Sequence, residues 1–211
     1  MRERIANSNG VFGVSIGDRE LSNELMDCYD SSKQIPANII PLVTVINFDE
    51  QELGVYPDWI NTFEHLTTLK LGYMHGEPLP ETLGELTKLR TLNLLGSRIV
   101  SLPESIGKLC RLQNLDLWVN WLTSLPDAIC DLRKLEYLQL EANELTSLPD
   151  DIGNMSNLQY LHLGGNQLTS LPDSIQHLRW LRRLDLSSNP IAEAEKKRIQ
   201  GLLPRCEILF S

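Results

Sequence analysis

Leu135 to Pro149 reads L-x-x-L-x-L-x-x-N-x-L-T-S-L-P. The same phrase stands 23 residues earlier, Leu112 to Pro126, and 23 residues later, Leu158 to Pro172. The prolines at 57, 80, 103, 126, 149 and 172 keep that spacing without a slip. A fixed period of this length restricts the fold severely. Each copy is one supersecondary unit too small to bury its own apolar face, so copies must stack, and each touches only its neighbours.

The chemistry of one copy follows from its letters. Leucines at positions 1, 4 and 6 point inward around a short x-L-x strand, which stacks on the strands of neighbouring copies at about 4.8 Å. The asparagine at position 9 (Asn120, Asn143, Asn166, Asn189) turns the chain away from the strand. Its amide can satisfy backbone groups in a turn that water does not reach. Leu-Pro then opens the return path, with Ile106, Ile129, Ile152 and Ile175 packing inward. An acid follows each proline (Asp58, Glu81, Glu104, Asp127, Asp150, Asp173). Proline followed by an acid suits a helical first turn, where unpaired N–H groups face outward. Part of the acidity of the chain therefore belongs to the scaffold.

Earlier copies are degenerate. Val43, Ile46 and Phe48 open the first, Leu66, Leu69 and Leu71 the second, Leu89, Leu92 and Leu94 the third, and Leu181 the last; about seven repeats span residues 35–190. Gln51, Met74 and Ser97 stand where asparagine is expected, and Gly76 replaces a leucine. The turn Met74-His75-Gly76-Glu77-Pro78 is therefore expected to deviate from the others and to be looser. Residues 1–34 lack the phrase, and Ile35-Pro36 precedes Pro57 by 21 residues, a slip in phase that marks a boundary. Residues 1–34 are expected to cap the first repeat, with a hairpin turn at Asn9-Gly10 before Val11–Ile16 and a helix from Ser22 to Tyr29. Residues 191–211 are expected to cap the last repeat. A helix there has Ile191, Ala194, Ile199, Leu202 and Leu203 on its apolar side, and a strand from Cys206 to Phe210 follows.

The net charge of −9 argues against nucleic acid as partner. It is uneven: from Gln176 onward seven basic residues outnumber four acids, as in a solvated end. No run is long and apolar enough to span a membrane, and Met1 to Asn7 leads into no apolar signal core. Cys28, Cys110, Cys130 and Cys206 have neither metal-site nor disulfide-framework spacing. Reduced thiols in the cytoplasm are the expected state, with secretion by a route lacking a Sec-type signal left open.

The segments Leu102-Pro103-Glu104-Ser105-Ile106-Gly107-Lys108-Leu109 and Leu148-Pro149-Asp150-Asp151-Ile152-Gly153 resemble the intracellular-type leucine-rich repeats of bacterial cytoplasmic proteins, plant Ras-group proteins and Ras-pathway scaffolds. The tail from Asn189-Pro190-Ile191 to Ile208 resembles the end of many bacterial members, which implies a bacterial source. The resemblance covers residues 35–210. It implies an α/β solenoid, with a curved parallel sheet on the concave face, short helical segments on the convex face, and a cap at each end. Such proteins generally bind other proteins on the concave sheet, as adaptors or effector-like modules. The scaffold defines the family, so the resemblance assigns no contact residue.

Candidate contacts are the positions the scaffold leaves free. Position 3 carries Tyr137 and Tyr160, position 5 carries Asp116, Gln139 and His162, and position 7 carries Leu95, Trp118 and Glu141. Trp121 occupies position 10, a column that is otherwise mostly polar. An aromatic group rimmed by polar side chains has the composition of an interface hot spot. Two plainer readings stay open: the tyrosines form a stabilising ladder, and the two tryptophans pack on each other. Trp59 and Trp180 fall on the convex side and are expected to be structural. Carbohydrate stacking on the tryptophans and self-association are the alternative functions. No catalytic motif, phosphate loop or zinc spacing is present. Neither a cofactor, a metal nor an activity is expected; Cys28 is the best available nucleophile. A monomer is the expected state.

Overall fold

The computed structural model describes residues 13–16, 19–20, 43–48 and 54–211. Eight strands lie in parallel: β3 (Val43–Asn47), β4 (Thr68–Lys70), β5 (Thr91–Asn93), β6 (Asn114–Asp116), β7 (Tyr137–Gln139), β8 (Tyr160–His162), β9 (Arg183–Asp185) and β10 (Glu207–Leu209). They follow one another in chain order across the sheet. From β4 to β9 every residue pairs with the one a full period away, as Asn114 does with Tyr137 and Tyr137 with Tyr160. Two further strands extend the sheet beyond β3. β1 (Gly13–Ile16) pairs antiparallel with β3, and β2 (Arg19–Glu20) pairs antiparallel with β1. Ten strands at the usual spacing make a sheet about 43 Å across.

A strand is thus present within the expected Val11–Ile16. It pairs antiparallel with Arg19–Glu20, Ser15 opposite Glu20 and Ile16 opposite Arg19. The Asn9-Gly10 turn, the Ser22–Tyr29 helix, Cys28 and the Ile35-Pro36 slip lie outside the described residues.

The three-residue strands alternate in burial, with only the central leucine fully enclosed. Leu92, Leu115, Leu138 and Leu161 and the flanking leucines of positions 1 and 6 have no solvent exposure. The convex side is built of 3-10 turns, not α-helices: Asp58–Thr62, Glu81–Glu85, Glu104–Lys108, Asp127–Asp131, Ile152–Asn154 and Asp173–His177. Runs this short suit the 3-10 form. Ile60, Ile106, Ile129, Ile152 and Ile175 are completely buried beneath them. The glycine of the Ile-Gly phrase has a steric cause: a Cβ at Gly153 would lie 2.1 Å from the Ser174 carbonyl oxygen of the next turn. Cys130 replaces that glycine, and the turn stacked beyond it, Ile152–Asn154, is the only described one of three residues instead of five.

Asparagine closes the inner turn as its chemistry predicts. The Asn143 amide donates to the carbonyls of Leu117 at 2.9 Å and Leu140 at 3.0 Å, and its oxygen accepts the Leu122 N–H at 3.0 Å. Asn120, Asn166 and Asn189 repeat the pattern. Ser97 is a shorter substitute. Its hydroxyl donates to the Leu71 carbonyl at 2.9 Å and accepts the Met74 N–H at 3.3 Å. The Met74–Pro78 turn does deviate: Gly76 has φ +86° and donates its N–H to the Ser97 carbonyl, where later repeats donate to an asparagine.

At the C-terminal end, α1 (Glu193–Leu202) precedes β10, which pairs with β9. Ile191, Ile199 and Leu203 are buried, whereas Ala194 is exposed, contrary to expectation. Glu195, the next residue, turns inward instead. It accepts the Leu171 N–H at 3.1 Å and the Arg198 guanidinium at 2.7 Å.

Candidate concave recognition site

The strand residues that flank each buried leucine line the concave sheet, and the register sets them in rows. In the position-3 row Tyr137 and Tyr160 are direct partners, with ring centroids 6.2 Å apart and planes at 45°. The His162 ring lies 5.3 Å from Tyr137, so the three form one group. All three are half-buried. The ladder therefore exists, and it leaves part of each ring open. Burial raises the Tyr137 phenol above its ordinary pKa, and the Asp116 and Glu141 carboxylates add to the effect.

The position-5 row has a scaffold task that its polarity did not reveal. Asn93, Asp116, Gln139 and Asp185 each accept the backbone N–H two residues on, at 2.9–3.1 Å. Asp116 thereby takes the Trp118 N–H at 3.0 Å and also accepts from Asn93 Nδ2 at 3.2 Å. Gln139 holds the Glu141 N–H, and its amide reaches the Glu141 carboxylate at 3.5 Å. These polar groups are therefore positioned and not free to swing.

Leu95, Trp118 and Glu141 share the position-7 column. Leu95 and Glu141 are half-buried, while Trp118 is 43% exposed. Trp121 is 51% exposed, and the Arg98 guanidinium lies over its ring at 5.8 Å. No ring contact joins the two tryptophans among the described residues, so mutual packing does not account for them.

Two exposed residues of this ridge, Tyr73 and Val119, belong to position 8, a column the strand rows do not include. Every described residue there from Tyr73 to Ser188 has positive φ, at 54–63°. That conformation turns the side chain outward at the rim of the sheet. Backbone bonds tie the ridge across repeats: Tyr73 N–H to the Leu95 carbonyl at 3.0 Å, Gly96 N–H to Trp118 at 2.9 Å, and Val119 N–H to Glu141 at 3.1 Å. The Tyr73 ring lies over Gly96, where a Cβ would be 3.1 Å away. Tyr73, Leu95, Trp118 and Val119 thus run side by side over three repeats, and Trp121 stands just past the asparagine turn with Arg98 over its ring. The signal for Tyr73 and Val119 was available in the sequence, as the residue just before the asparagine position.

Trp59 is structural, as expected. It packs edge-on against Phe48 and Phe63 at 6.2 and 5.9 Å. Trp180 is not: it is 64% exposed on the turn leading into β9, away from the ridge. Cys130 is buried, and burial with Asp151, Asp127 and Asp131 nearby pushes its thiol up to about 12. Cys206 is likewise raised, to about 11, by burial and Glu207. Neither thiol is activated as a nucleophile. Among the described residues no three His, Cys, Asp or Glu side chains gather as metal ligands. No helix among them is long and apolar enough to cross a membrane.

Comparison with known proteins agrees with this geometry. A family model described as a leucine-rich repeat region matches residues 44–162, and a second, of two leucine-rich repeats, matches residues 156–196. No curated protein matches the chain. Among solved structures, a leucine-rich repeat protein of Leptospira interrogans is 42% identical over 79% of this chain, with a TM-score of 0.77. An internalin of Listeria monocytogenes is 21% identical over 79% of this chain, with a TM-score of 0.67, a likeness of fold alone. The alignments cover 43% and 47% of those two chains, so this chain spans less than half of either. Proteins of this kind are typically scaffolds without catalysis and generally mediate protein–protein interaction. On the match over more than half its length, the chain belongs to the leucine-rich repeat family.

Proposed function

We propose that this chain is a protein-recognition module that binds its partner on the concave face, through Trp118 and Trp121 with Leu95, Tyr137 and Tyr160 around them. One observation carries the reading: two indoles stand 43% and 51% exposed in a molecule that buries the leucines of its repeat phrase. Large aromatic rings held open beside a rigid sheet are the usual anchors of an interface, and a fixed polar rim excludes water around them. Asp116, Gln139, Glu141 and His162 supply that rim. Their backbone and ring contacts hold them in place before binding, which lowers the entropic cost of association. Tyr73, Val119 and Arg98 extend the same surface.

We further read residues 1–34 and 191–211 as end caps, and the chain as a non-catalytic monomer of a reducing compartment. The spacing of Cys28, Cys110, Cys130 and Cys206, which matches no disulfide framework, supports the last point. The test is quantitative capture from native lysate of the source organism. Trp118→Ala with Tyr160→Ala is expected to reduce recovery of the specific partner by about 30-fold, the loss of a 2 kcal/mol hot spot. Equal recovery of every partner by both proteins would sink the concave-site reading. Concentration-dependent light scattering that Trp118→Ala abolishes would assign the ridge to self-association instead.

A further inference from the structure

The chain carries a net charge of −9, yet cations gather on one lateral face. Arg90 stands at position 2 of its repeat, and Arg111 and Lys134 stand just before position 1 of the next two. With Gln113 they line one cleft of about 240 Å³. Backbone bonds explain why three repeats meet there. The Arg90 carbonyl accepts the Gln113 N–H at 2.8 Å and the Asn114 N–H at 3.0 Å, and the Gln113 carbonyl accepts the Glu136 N–H at 2.8 Å. The three cationic residues are therefore attached to backbone within about two strand spacings, or roughly 10 Å.

Among the described residues no ion pair engages them. The ion pairs among the described residues are those of Lys196 and Arg198, at the far C-terminal end. The neighbouring Glu136 carboxylate accepts from Gln113 Nε2 at 3.3 Å and Gln159 Nε2 at 3.4 Å, and it offsets one of the three positive charges. Side chains of Arg90, Arg111 and Lys134 are all exposed or at the surface of the cleft. Like charges held this close repel one another unless an anion joins them.

We propose that this cleft binds a phosphoryl dianion. Two guanidinium forks and an ammonium offer only donors, and Arg forks match the edges of a phosphate bidentately. A dianion balances three cations beside one carboxylate better than a single carboxylate can. The volume holds one compact oxyanion with a short tether. The cleft opens at the N-terminal ends of the strands, while the aromatic ridge lies at their C-terminal ends. The two sites can therefore be occupied together, and neither assignment depends on the other. Free phosphate and a phosphorylated side chain share this chemistry.

The test is titration of the full chain, by amide NMR at fixed ionic strength, with inorganic phosphate, phosphoserine, serine and acetate. Phosphate and phosphoserine are expected to saturate and to shift the amides of Arg90, Arg111, Gln113 and Lys134, while serine does neither. Arg111→Ala should weaken binding about tenfold or more, the loss of one charge-assisted contact. Lys197→Ala, on the exposed face of α1, should leave binding unchanged and serves as the control for bulk charge. Tighter binding of phosphoserine than of phosphate identifies a phosphorylated side chain as the source; the reverse identifies free phosphate. Absence of saturation, equal binding by the Arg111→Ala chain, or acetate binding as tightly as phosphate would each overturn the proposal.

Discussion

Val119 shows how the scaffold and the site make different demands on one residue. Position 8 requires φ near 55°, and Gly96 and Gly165 meet that requirement without strain. Val119 meets it with a β-branched side chain at φ 55°, a costly conformation for such a residue. Its 47% exposure means that burial returns little of that cost. Strain of this kind gathers at working surfaces, and here it sits between Trp118 and Trp121. Val119→Gly is accordingly expected to stabilise the fold by about 0.5–1 kcal/mol while weakening partner binding. Urea unfolding gives the first quantity and titration of the captured partner the second. A less stable variant would show that the side chain supports the scaffold. Asn143 is the opposite case, a residue whose side chain is given wholly to the scaffold. Its amide holds carbonyls of two repeats and its oxygen the Leu122 N–H, all away from water. Its loss would leave several buried groups unpaired, at about 1–3 kcal/mol each.

At the scale of elements, α1 is fastened to the repeat that opens at Leu158 by Glu195, which accepts the Leu171 N–H, and by Arg198, which donates to Asp173 and to the Leu171 carbonyl. Glu195 accepts from Arg198 and from the Leu171 N–H, and the Arg198 hydrogen bond, with that of Leu171, holds its pKa below the ordinary value. Since the folded carboxyl titrates lower than the unfolded one, this contact stabilises above the ordinary carboxylate range. It is lost as pH falls through the depressed value. Hydrogen exchange at α1 is therefore expected to accelerate on acidification, and Glu195→Gln should flatten that response while leaving β6 to β8 unaffected. An α1 whose protection does not change between neutral and acidic pH would contradict this fastening. The apolar side of α1 narrows for the same reason: Glu195 takes the inward place, and Ala194 is left outside. Helical periodicity alone cannot anticipate that, because the attraction comes from a backbone N–H two dozen residues earlier.

For the molecule as a whole, the period of 23 residues carried nearly all of the architecture. It determined the parallel register, the buried leucines, the asparagine ladder and the convex turns, because every repeat solves the same packing problem. Where the sequence departs from its own phrase, the structure departs too, as at Gly76 and Cys130. The site was legible in part. Trp118, Trp121, Tyr137 and Tyr160 emerged from their columns, but the exposure of Tyr73, Val119 and Trp180 depends on the angles at which turns leave the sheet. The service of Asp116 and Gln139 to the backbone was equally hidden, since it depends on distances no spacing encodes. The account's central claim is that the concave ridge, and not the convex face, meets the partner. A photo-crosslinking side chain in place of Trp121 tests it against the same group in place of Trp180, in native lysate. The expected result is one discrete adduct from position 121, lost on addition of excess unlabelled chain, and none from position 180. A specific adduct from position 180 alone would contradict the account.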